Sequence, residues 1–332
     1  MFFAVLGTPS PLTAAVLKVV QALTETALGS YYWIAAGTAD DLRKAWAQRG
    51  EKPVVMFADI PSQDITRMVV DANIPVVVCL EPPAAIVDHL AKTRDLTGLP
   101  ALRLASQSLG TLHDIALDAT TYTLTPSIAN VEVSGLVEGL ARIYGLSLDK
   151  ERLAEVIKKK LHIDANGTTL QAIMPSGLGG SSTADMALAA SALDGYTSLL
   201  NGKAAERFTW ATGVFLGAKP HGEPIAGPIE LIGGRRCFAF GPYFHLPSGA
   251  WRVSVDFEIA NNVSGNILKI DAYTDRTIEE GVARLPRDGR FTSSFDIAIE
   301  EPRLPLQIRL SNEEGAIEGR FILHAVVVER IH

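Results

Sequence analysis

The chain has little cysteine: Cys79 and Cys237 are the two cysteines in 332 residues, and both lie in apolar stretches. Two thiols so far apart exclude a disulfide-stapled fold and a cysteine-rich metal site. The histidines do not have the spacing of metal ligands either. We therefore expect two buried thiols, no metal and no cofactor.

Cationic residues are in the minority, with 30 Lys and Arg against 37 Asp and Glu and a formal net charge of −7. Nucleic-acid binding needs a cationic surplus, so nucleic acid is excluded as the main partner. No apolar run approaches the roughly 18 residues of a membrane-spanning helix. The first six residues also lack the basic start of a signal peptide. We expect a cytoplasmic protein with no membrane span.

Apolar residues are plentiful, at 47% of the chain, and the length favours two domains. In the first half, continuous apolar runs at residues 2–6, 54–57 and 75–80 alternate with segments of helical periodicity. Such runs are typical of a parallel sheet covered by helices on both faces. The sequence therefore predicts an α/β domain over residues 1–165.

The last hundred residues have a different pattern. From residue 237 apolar and polar side chains alternate, as in residues 251–259, 291–299 and 306–310, with turn signals between the runs. Strands at this spacing predict an antiparallel β-sandwich of jelly-roll type over residues 236–332. Residues 166–235 are interpreted as a connector of loops and a helix.

The loop of residues 7–13 joins the first predicted strand to the first helix. Phosphate-binding loops lie at this position, because backbone N–H groups and the helix dipole favour an anion there. Gly7, Thr8, Ser10 and Thr13 are the candidate ligand residues. The loop has one glycine, no lysine and two prolines, which lack N–H donors, so an ordinary strand–helix turn is favoured.

Three stretches, residues 5–13, 55–61 and 76–90, resemble in order the phosphosulfate loop, the catalytic strand and the 3′-phosphate segment of the sulfotransferase family. The resemblance covers about residues 1–160. It implies a P-loop-like α/β fold and a site for the sulfate donor 3′-phosphoadenosine 5′-phosphosulfate.

The chain departs from the family at the residues that would carry the chemistry. Glu81 stands in place of the phosphate-binding arginine, Asp88 in place of its partner serine, and Phe57 and Asp59 in place of the basic residues of the catalytic strand. Carboxylates there would repel the donor's phosphates. We therefore expect a pseudoenzyme. If the domain is a transferase, Asp59 or Glu81 would be its base, and Asp88 is a further candidate ligand residue.

Residues 175–184, Pro-Ser-Gly-Leu-Gly-Gly-Ser-Ser-Thr-Ala, are similar to the phosphate loop of GHMP small-molecule kinases. The similarity implies a phosphate at a helix N-terminus. The alternating segments that follow do not suit that family. They favour a flexible linker with a Ser or Thr cap for the next helix.

The predicted sandwich resembles carbohydrate-binding modules, on residues 241–249, 262–266 and 315–320. Sugar sites combine an aromatic platform with hydrogen-bonding side chains. The candidate glycan-binding residues are Tyr243, His245, Asp256, Asn262, Asn266 and Arg320. For the two asparagines, turn formation beside Gly265 is an equal alternative, and the phase of Trp251 places it in the core.

The sequence thus favours a non-catalytic protein that recognises a polysaccharide or glycan intermediate of bacterial envelope or exopolysaccharide synthesis. One alternative is a divergent sulfo- or glycosyl-group transferase, which cations converging on the 7–13 loop would favour. Another is an interaction scaffold, as a homo-oligomer or with a biosynthetic partner protein, which a flat apolar patch would favour.

Overall fold

The computed structural model describes residues 1–163, 167–175, 179–218 and 221–332. Its contacts form two compact units. The first unit contains Met1–Thr97, Ser108–Met186 and Tyr196–Ala204, and the second contains Gly98–Gln107, Ala187–Gly195 and Ala205–His332. The predicted boundaries at residues 165 and 235 stay a prediction, since the two units alternate along the chain.

A parallel sheet forms the centre of the first unit. Its five strands, all within the continuous range 1–163, are β1 (Phe2–Gly7), β2 (Tyr32–Ala35), β3 (Val54–Ala58), β4 (Val76–Cys79) and β5 (Tyr122–Leu124), in the spatial order β2-β3-β1-β4-β5. Strand β4, which lies between β1 and β5, is buried along its whole length, as its continuous apolar run requires. The predicted α/β class of the first half is confirmed.

Helices connect and follow these strands. They are α1 (Pro11–Leu28), α2 (Ala39–Trp46), α3 (Gln63–Asp71), α4 (Pro83–Arg94), α5 (Gly98–Leu117), α6 (Val133–Ile143), α7 (Lys150–Glu155), α8 (Leu170–Ile173) and α9 (Thr183–Ala192). In α1 the residues Leu12, Val16, Val19 and Leu23 are buried, which is the single apolar stripe expected of a helix on a sheet. Along the described chain, no helix combines the length and hydropathy needed to cross a bilayer.

The second unit contains two antiparallel sheets. Their strands are β6 (Arg207–Ala211), β7 (Leu216–Ala218), β8 (His221–Pro224), β9 (Ile229–Glu230), β10 (Arg236–Phe244), β11 (Gly249–Ala260), β12 (Ile267–Tyr273), β13 (Thr277–Arg284), β14 (Gly289–Ile299), β15 (Leu306–Asn312) and β16 (Arg320–Arg330). Within the described residues one sheet has the order β13-β12-β15-β10-β7-β8. The other has the order β14-β11-β16-β6, with β9 also paired to β16.

Period-2 burial places one face of each sheet in the core. In β11 the side chains of Trp251, Val253, Val255, Phe257 and Ile259 are buried, while those between them are exposed or half-buried. The core position predicted for Trp251 is confirmed, and so is the predicted antiparallel sandwich. Its strands begin at Arg207, inside the segment interpreted as a connector.

Candidate functional sites

The 7–13 loop lies where a ligand is expected in an open α/β sheet. Strands β1 and β4 are neighbours in the sheet. After β1 the chain passes to β2 on one side of this pair, and after β4 it passes to β5 on the other side. Ligands of such sheets bind beyond the carboxyl ends of the strands at this change of direction. The loop follows β1, and Glu81 lies two residues after the end of β4.

The polar groups of this loop bind one another. Thr8, Ser10 and Thr13 are buried. The hydroxyl of Thr13 donates to the Thr8 carbonyl oxygen at 2.6 Å, and the backbone N–H of Thr13 donates to the Ser10 Oγ atom at 3.2 Å. A Cβ atom on Gly7 would lie 2.6 Å from Thr13 Oγ1, so the loop closes tightly over the end of the strand. These bonds build an ordinary capped helix start.

The first turn of α1 already holds a carboxylate. Glu81 is buried, and its Oε1 atom accepts a hydrogen bond from the backbone N–H of Leu12 at 3.2 Å. Burial raises the pKa of Glu81, and the bond from Leu12 offsets part of that rise. An external phosphate at these N–H groups would meet this carboxyl group.

Asp59 is also engaged. Its carboxylate forms an ion pair with Arg94 on α4, and its backbone oxygen accepts from the Ser108 hydroxyl at 3.1 Å. The structure thus assigns the two conditional catalytic candidates, Asp59 and Glu81, to internal contacts.

Asp88 binds the second glycine-rich loop. Its Oδ1 atom accepts from the backbone N–H groups of Gly179, Gly180 and Ser181 at 3.1, 2.9 and 3.2 Å, and Lys92 Nζ lies 3.3 Å from Oδ2. Burial raises the pKa of Asp88, but these bonds outweigh it and hold the pKa below its usual value. Ser176, Gly177 and Leu178 of the kinase-like stretch lie outside the described residues. In the described part of that loop, the anion held is Asp88.

Three candidates in the sandwich are buried. The Asn262 side chain donates to the Leu285 and Pro286 carbonyl oxygens and accepts from the Asn266 N–H, while the Asn266 side chain donates to the Glu318 carbonyl oxygen. His245 Nδ1 lies 2.8 Å from the Pro302 carbonyl oxygen. Burial lowers the pKa of His245, and this bond only partly offsets that effect. These hydrogen bonds hold neighbouring loops together. For the two asparagines this is the structural role that was predicted as the alternative to glycan binding.

Asp256 and Arg320 lie in ion pairs at the surface. Asp256 pairs with Arg290 across β11 and β14, and Arg320 Nε lies 3.2 Å from Glu230 Oε1 across β16 and β9. The bond from Arg290 holds the pKa of Asp256 below its usual value. Whether these residues contact a glycan stays a prediction.

Tyr243 is half-buried and has an uncommon backbone conformation. Its φ of 69° lies in the left-handed region, which bulky side chains rarely adopt. The Arg103 guanidinium carbon lies 4.5 Å from the ring centroid, and the ring of Phe240 meets it edge-on at 6.2 Å. Residues with such a backbone conformation are concentrated at active sites and ligand-binding surfaces.

A row of side chains crosses the outer face of the larger sheet beside Phe240. Phe240, Arg309 and Asp271 are direct cross-strand neighbours on β10, β15 and β12. Arg309 Nε donates to Asp271 Oδ1 at 2.6 Å, and the guanidinium carbon lies 4.0 Å from the ring centroid of Tyr273. We call Tyr273, Arg309, Asp271 and Phe240 the aromatic–arginine strip.

A polar cavity of about 360 Å³ adjoins the strip and shares Arg309 and Asp271 with it. The other residues lining it are Arg235, Arg236, Cys237, Lys269, Ser311, Asn312 and Glu313. Lys269 Nζ lies 2.6 Å from Glu280 Oε2, and this bond raises the pKa of Lys269. Burial raises the pKa of the Cys237 thiol. The cavity therefore places a lysine whose charged form is favoured beside a thiol whose neutral form is favoured.

Several solved structures are similar to this chain. They include a mouse sulfotransferase, SULT7A1, complexed with PAP (9% identity, TM-score 0.35, 52% of this chain and 72% of that one). They also include the xylan-binding module CBM15 (14% identity, TM-score 0.26, 32% of this chain and 77% of that one). A third is the C-terminal CBM6 of LamC from Zobellia galactanivorans (14% identity, TM-score 0.25, 37% of this chain and 99% of that one).

Both families that the sequence resembles thus occur among these structures. Likeness at this level concerns the fold alone. No protein-family model matches the chain, and no curated protein matches it. Function therefore has to be inferred from the side chains.

None of the four residues of the strip is among the candidate residues predicted from the sequence. Lys269, Asp271 and Tyr273 alternate with apolar core residues along β12, and Gln307, Arg309 and Ser311 do so along β15, although Asp271 is itself buried beneath its partners. This alternation indicates a polar outer face, and it could have been recognised. Among the residues that the structure describes, no group of three or more His, Cys, Asp or Glu side chains could hold a metal ion.

Proposed function

We propose that this protein binds a glycan, without catalysis, on the outer face of the larger sheet of its sandwich. The observation that carries the proposal is the aromatic–arginine strip, in which Arg309 lies between Tyr273 and Phe240 and is held by Asp271. The ligand we propose is a polysaccharide or glycan intermediate, of the kind used in bacterial envelope or exopolysaccharide synthesis.

The strip has the chemistry that a sugar requires. A pyranose ring offers an apolar C–H face and a rim of hydroxyl groups, and it binds to aromatic rings flanked by fixed donors and acceptors. Tyr273 and Phe240 supply the rings, Arg309 supplies hydrogen-bond donors, and the buried Asp271 carboxylate holds Arg309 in place. Because Arg309 is already stacked and hydrogen-bonded, little side-chain entropy is lost on binding.

The contacts of the first unit support the non-catalytic part of the proposal. The Glu81 carboxyl group lies at the N-terminus of α1, and the Asp88 carboxylate on α4 accepts hydrogen bonds from the N–H groups of the glycine-rich loop. Both places would hold phosphate in an active transferase or kinase, and a negative charge there repels a phosphorylated donor. We therefore propose that this unit is a pseudoenzyme.

The test measures binding of the full-length protein to a panel of soluble neutral and charged polysaccharides by affinity electrophoresis and calorimetry. We expect at least one polymer to bind, and Tyr273→Ala and Phe240→Ala each to weaken it by about tenfold, the scale of one lost aromatic contact. Tyr122→Ala is the matched control, because Tyr122 is an exposed tyrosine of the first unit.

Thermal melting of each variant separates lost binding from lost folding. The absence of any bound polymer would overturn the proposal. So would an affinity that is unchanged in both strip variants while the proteins stay folded.

A further inference from the structure

We propose that the glycan is acidic, and that the cavity beside the aromatic–arginine strip binds an anionic substituent of the sugar, a carboxylate or a sulfate ester. This inference rests on the proposed function and names the class of ligand for the same site. It rests on the charged side chains that line the cavity and on those of their N–H groups that have no hydrogen-bond partner within the described residues.

Cations outnumber carboxylates around the cavity. Four of its lining residues are Arg235, Arg236, Lys269 and Arg309, and its two carboxylates are Asp271 and Glu313. The chain as a whole has a net charge of −7, so this local surplus runs against the overall balance. A general attraction of the whole chain for polyanions is therefore not expected, and preference for an acidic ligand has to come from this cavity.

The cations differ in what they can offer a ligand. Arg236 donates to the Glu230, Ile232 and other carbonyl oxygens of the neighbouring loop, so it builds the wall of the cavity. Arg235 is 70% exposed and pairs with Glu313 through Nη2 at 2.8 Å. A guanidinium has five N–H groups, so most donors of Arg235 remain available in this part of the structure.

Arg309 and Lys269 link the cavity to the strip. Arg309 uses Nε on Asp271 and Nη2 on Thr277, at 2.6 and 3.4 Å, so its remaining N–H groups are not bonded within the described residues. Lys269 Nζ pairs with Glu280 Oε2 at 2.6 Å and lies 4.0 Å from Asp271 Oδ2. The buried Asp271 carboxylate bonds Arg309 and lies beside Lys269, and it acts as a positioning residue for Arg309. A carboxylate or sulfate from the ligand would complete this network.

The test compares polymers of the same backbone with and without the anion: polygalacturonate against methyl-esterified pectin, and dextran sulfate against dextran. Calorimetry and affinity electrophoresis use the full-length protein at two salt concentrations. We expect one acidic polymer to bind at least tenfold more tightly than its neutral counterpart. Its affinity should fall at high salt, because salt screens the charges. The two pairs distinguish carboxylate from sulfate.

Two variants and a control locate the effect. Arg235→Gln and Lys269→Gln should each lower the affinity for the acidic polymer by about fivefold, which is the scale of one lost charge-assisted hydrogen bond. The affinity for the neutral polymer should not change. Arg252→Gln removes an exposed arginine that pairs with Asp296 on the other sheet, and it should change neither affinity.

The outcomes separate the two proposals. Equal affinity for acidic and neutral polymers overturns this inference and leaves the proposed function standing. An effect of Arg252→Gln as large as that of Arg235→Gln also overturns it, because the binding is then not local. Failure of every polymer to bind removes both.

Discussion

The backbone N–H of Leu12 donates a hydrogen bond to Glu81 Oε1 at 3.2 Å, so the chain places one of its own carboxyl groups at the start of α1. Helix N-termini favour anions, and this one is served from within the fold. Leu12 and Glu81 follow neighbouring strands of the sheet, so the contact also ties the two loops to each other.

Replacing Glu81 by glutamine should stabilise the protein at neutral pH. Burial raises the pKa of Glu81 above its unfolded value, so the stability it contributes is present below the unfolded pKa and is lost as pH rises through the folded pKa. We expect Glu81→Gln to unfold at a higher urea concentration than the wild type at pH 7, with a free energy of unfolding that is larger by about 1 kcal/mol. This difference should shrink towards pH 4.

Glu81→Ala is the comparison variant for this experiment. It removes the acceptor of the Leu12 N–H at every pH, and we expect it to cost about 1–3 kcal/mol. A Glu81→Gln protein that is clearly less stable than the wild type at pH 7 would show that the negative charge stabilises the helix.

The nucleotide 3′-phosphoadenosine 5′-phosphate should not bind measurably. The hydroxyl and the N–H of Thr13 donate within the 7–13 loop, the N–H of Thr8 donates to the Cys79 carbonyl oxygen, and the N–H of Leu12 donates to Glu81. Calorimetric titration into the full-length protein at low and moderate salt measures this directly, with an active sulfotransferase as positive control. Micromolar affinity would contradict the pseudoenzyme proposal.

Replacing Asp88 by asparagine should destabilise the protein by about 2 kcal/mol at pH 7, because three backbone donors and Lys92 lose a charged acceptor. The pKa of Asp88 is lowered, so its contribution is present above the unfolded pKa and is lost as pH falls through the folded pKa. Urea titrations should therefore show the two proteins converging in acid.

Asp64→Asn serves as the control for that series, since Asp64 is exposed on α3. We expect it to change the free energy of unfolding by less than about 0.5 kcal/mol. An equal loss of unfolding free energy in Asp88→Asn and Asp64→Asn would indicate a general effect of the removed charge. It would contradict the stabilising role that we assign to the contacts of Asp88.

Two glycine-to-alanine changes should have opposite effects on stability. A Cβ atom at Gly180 would lie 2.8 Å from the backbone oxygen of Asp88 and from the backbone nitrogen of Lys92, so Gly180→Ala should cost about 1–3 kcal/mol. Gly139 lies in α6 with nothing near its Cβ position, and Gly139→Ala should gain about 0.5–1 kcal/mol. Thermal melts of both variants check the pair, and a stable Gly180→Ala protein would contradict the close packing.

The elements that the sequence predicted well are those with an unbroken local pattern. The apolar run of β4 and the alternation along β11 needed no information from elsewhere in the chain. Helix α5 was missed although Leu102, Ala105, Leu109 and Leu112 recur at helical spacing and are buried. Four polar residues are buried beside this apolar stripe, which obscures the boundary between the apolar and polar faces in the sequence: Ser106, Ser108, Thr111 and His113.

The sites depended on contacts that no local pattern contains. Gly180 is 92 positions from Asp88, and the bond between them turns two expected ligand sites into one internal contact. The aromatic–arginine strip likewise depends on the register of three strands. A shift of one residue in β15 would turn Arg309 into the core and dissolve the strip.

Helix α5 has a consequence for how this protein could be altered by recombination. Its residues up to Gln107 are counted with the sandwich, and those from Ser108 with the parallel sheet, while Ala187–Gly195 again belongs to the sandwich unit. The sugar-binding module that we propose is therefore not a contiguous cassette. Exchanging it for another specificity requires three separate stretches of the gene to be replaced together, so new specificities are reached more readily by point changes on the sheet face.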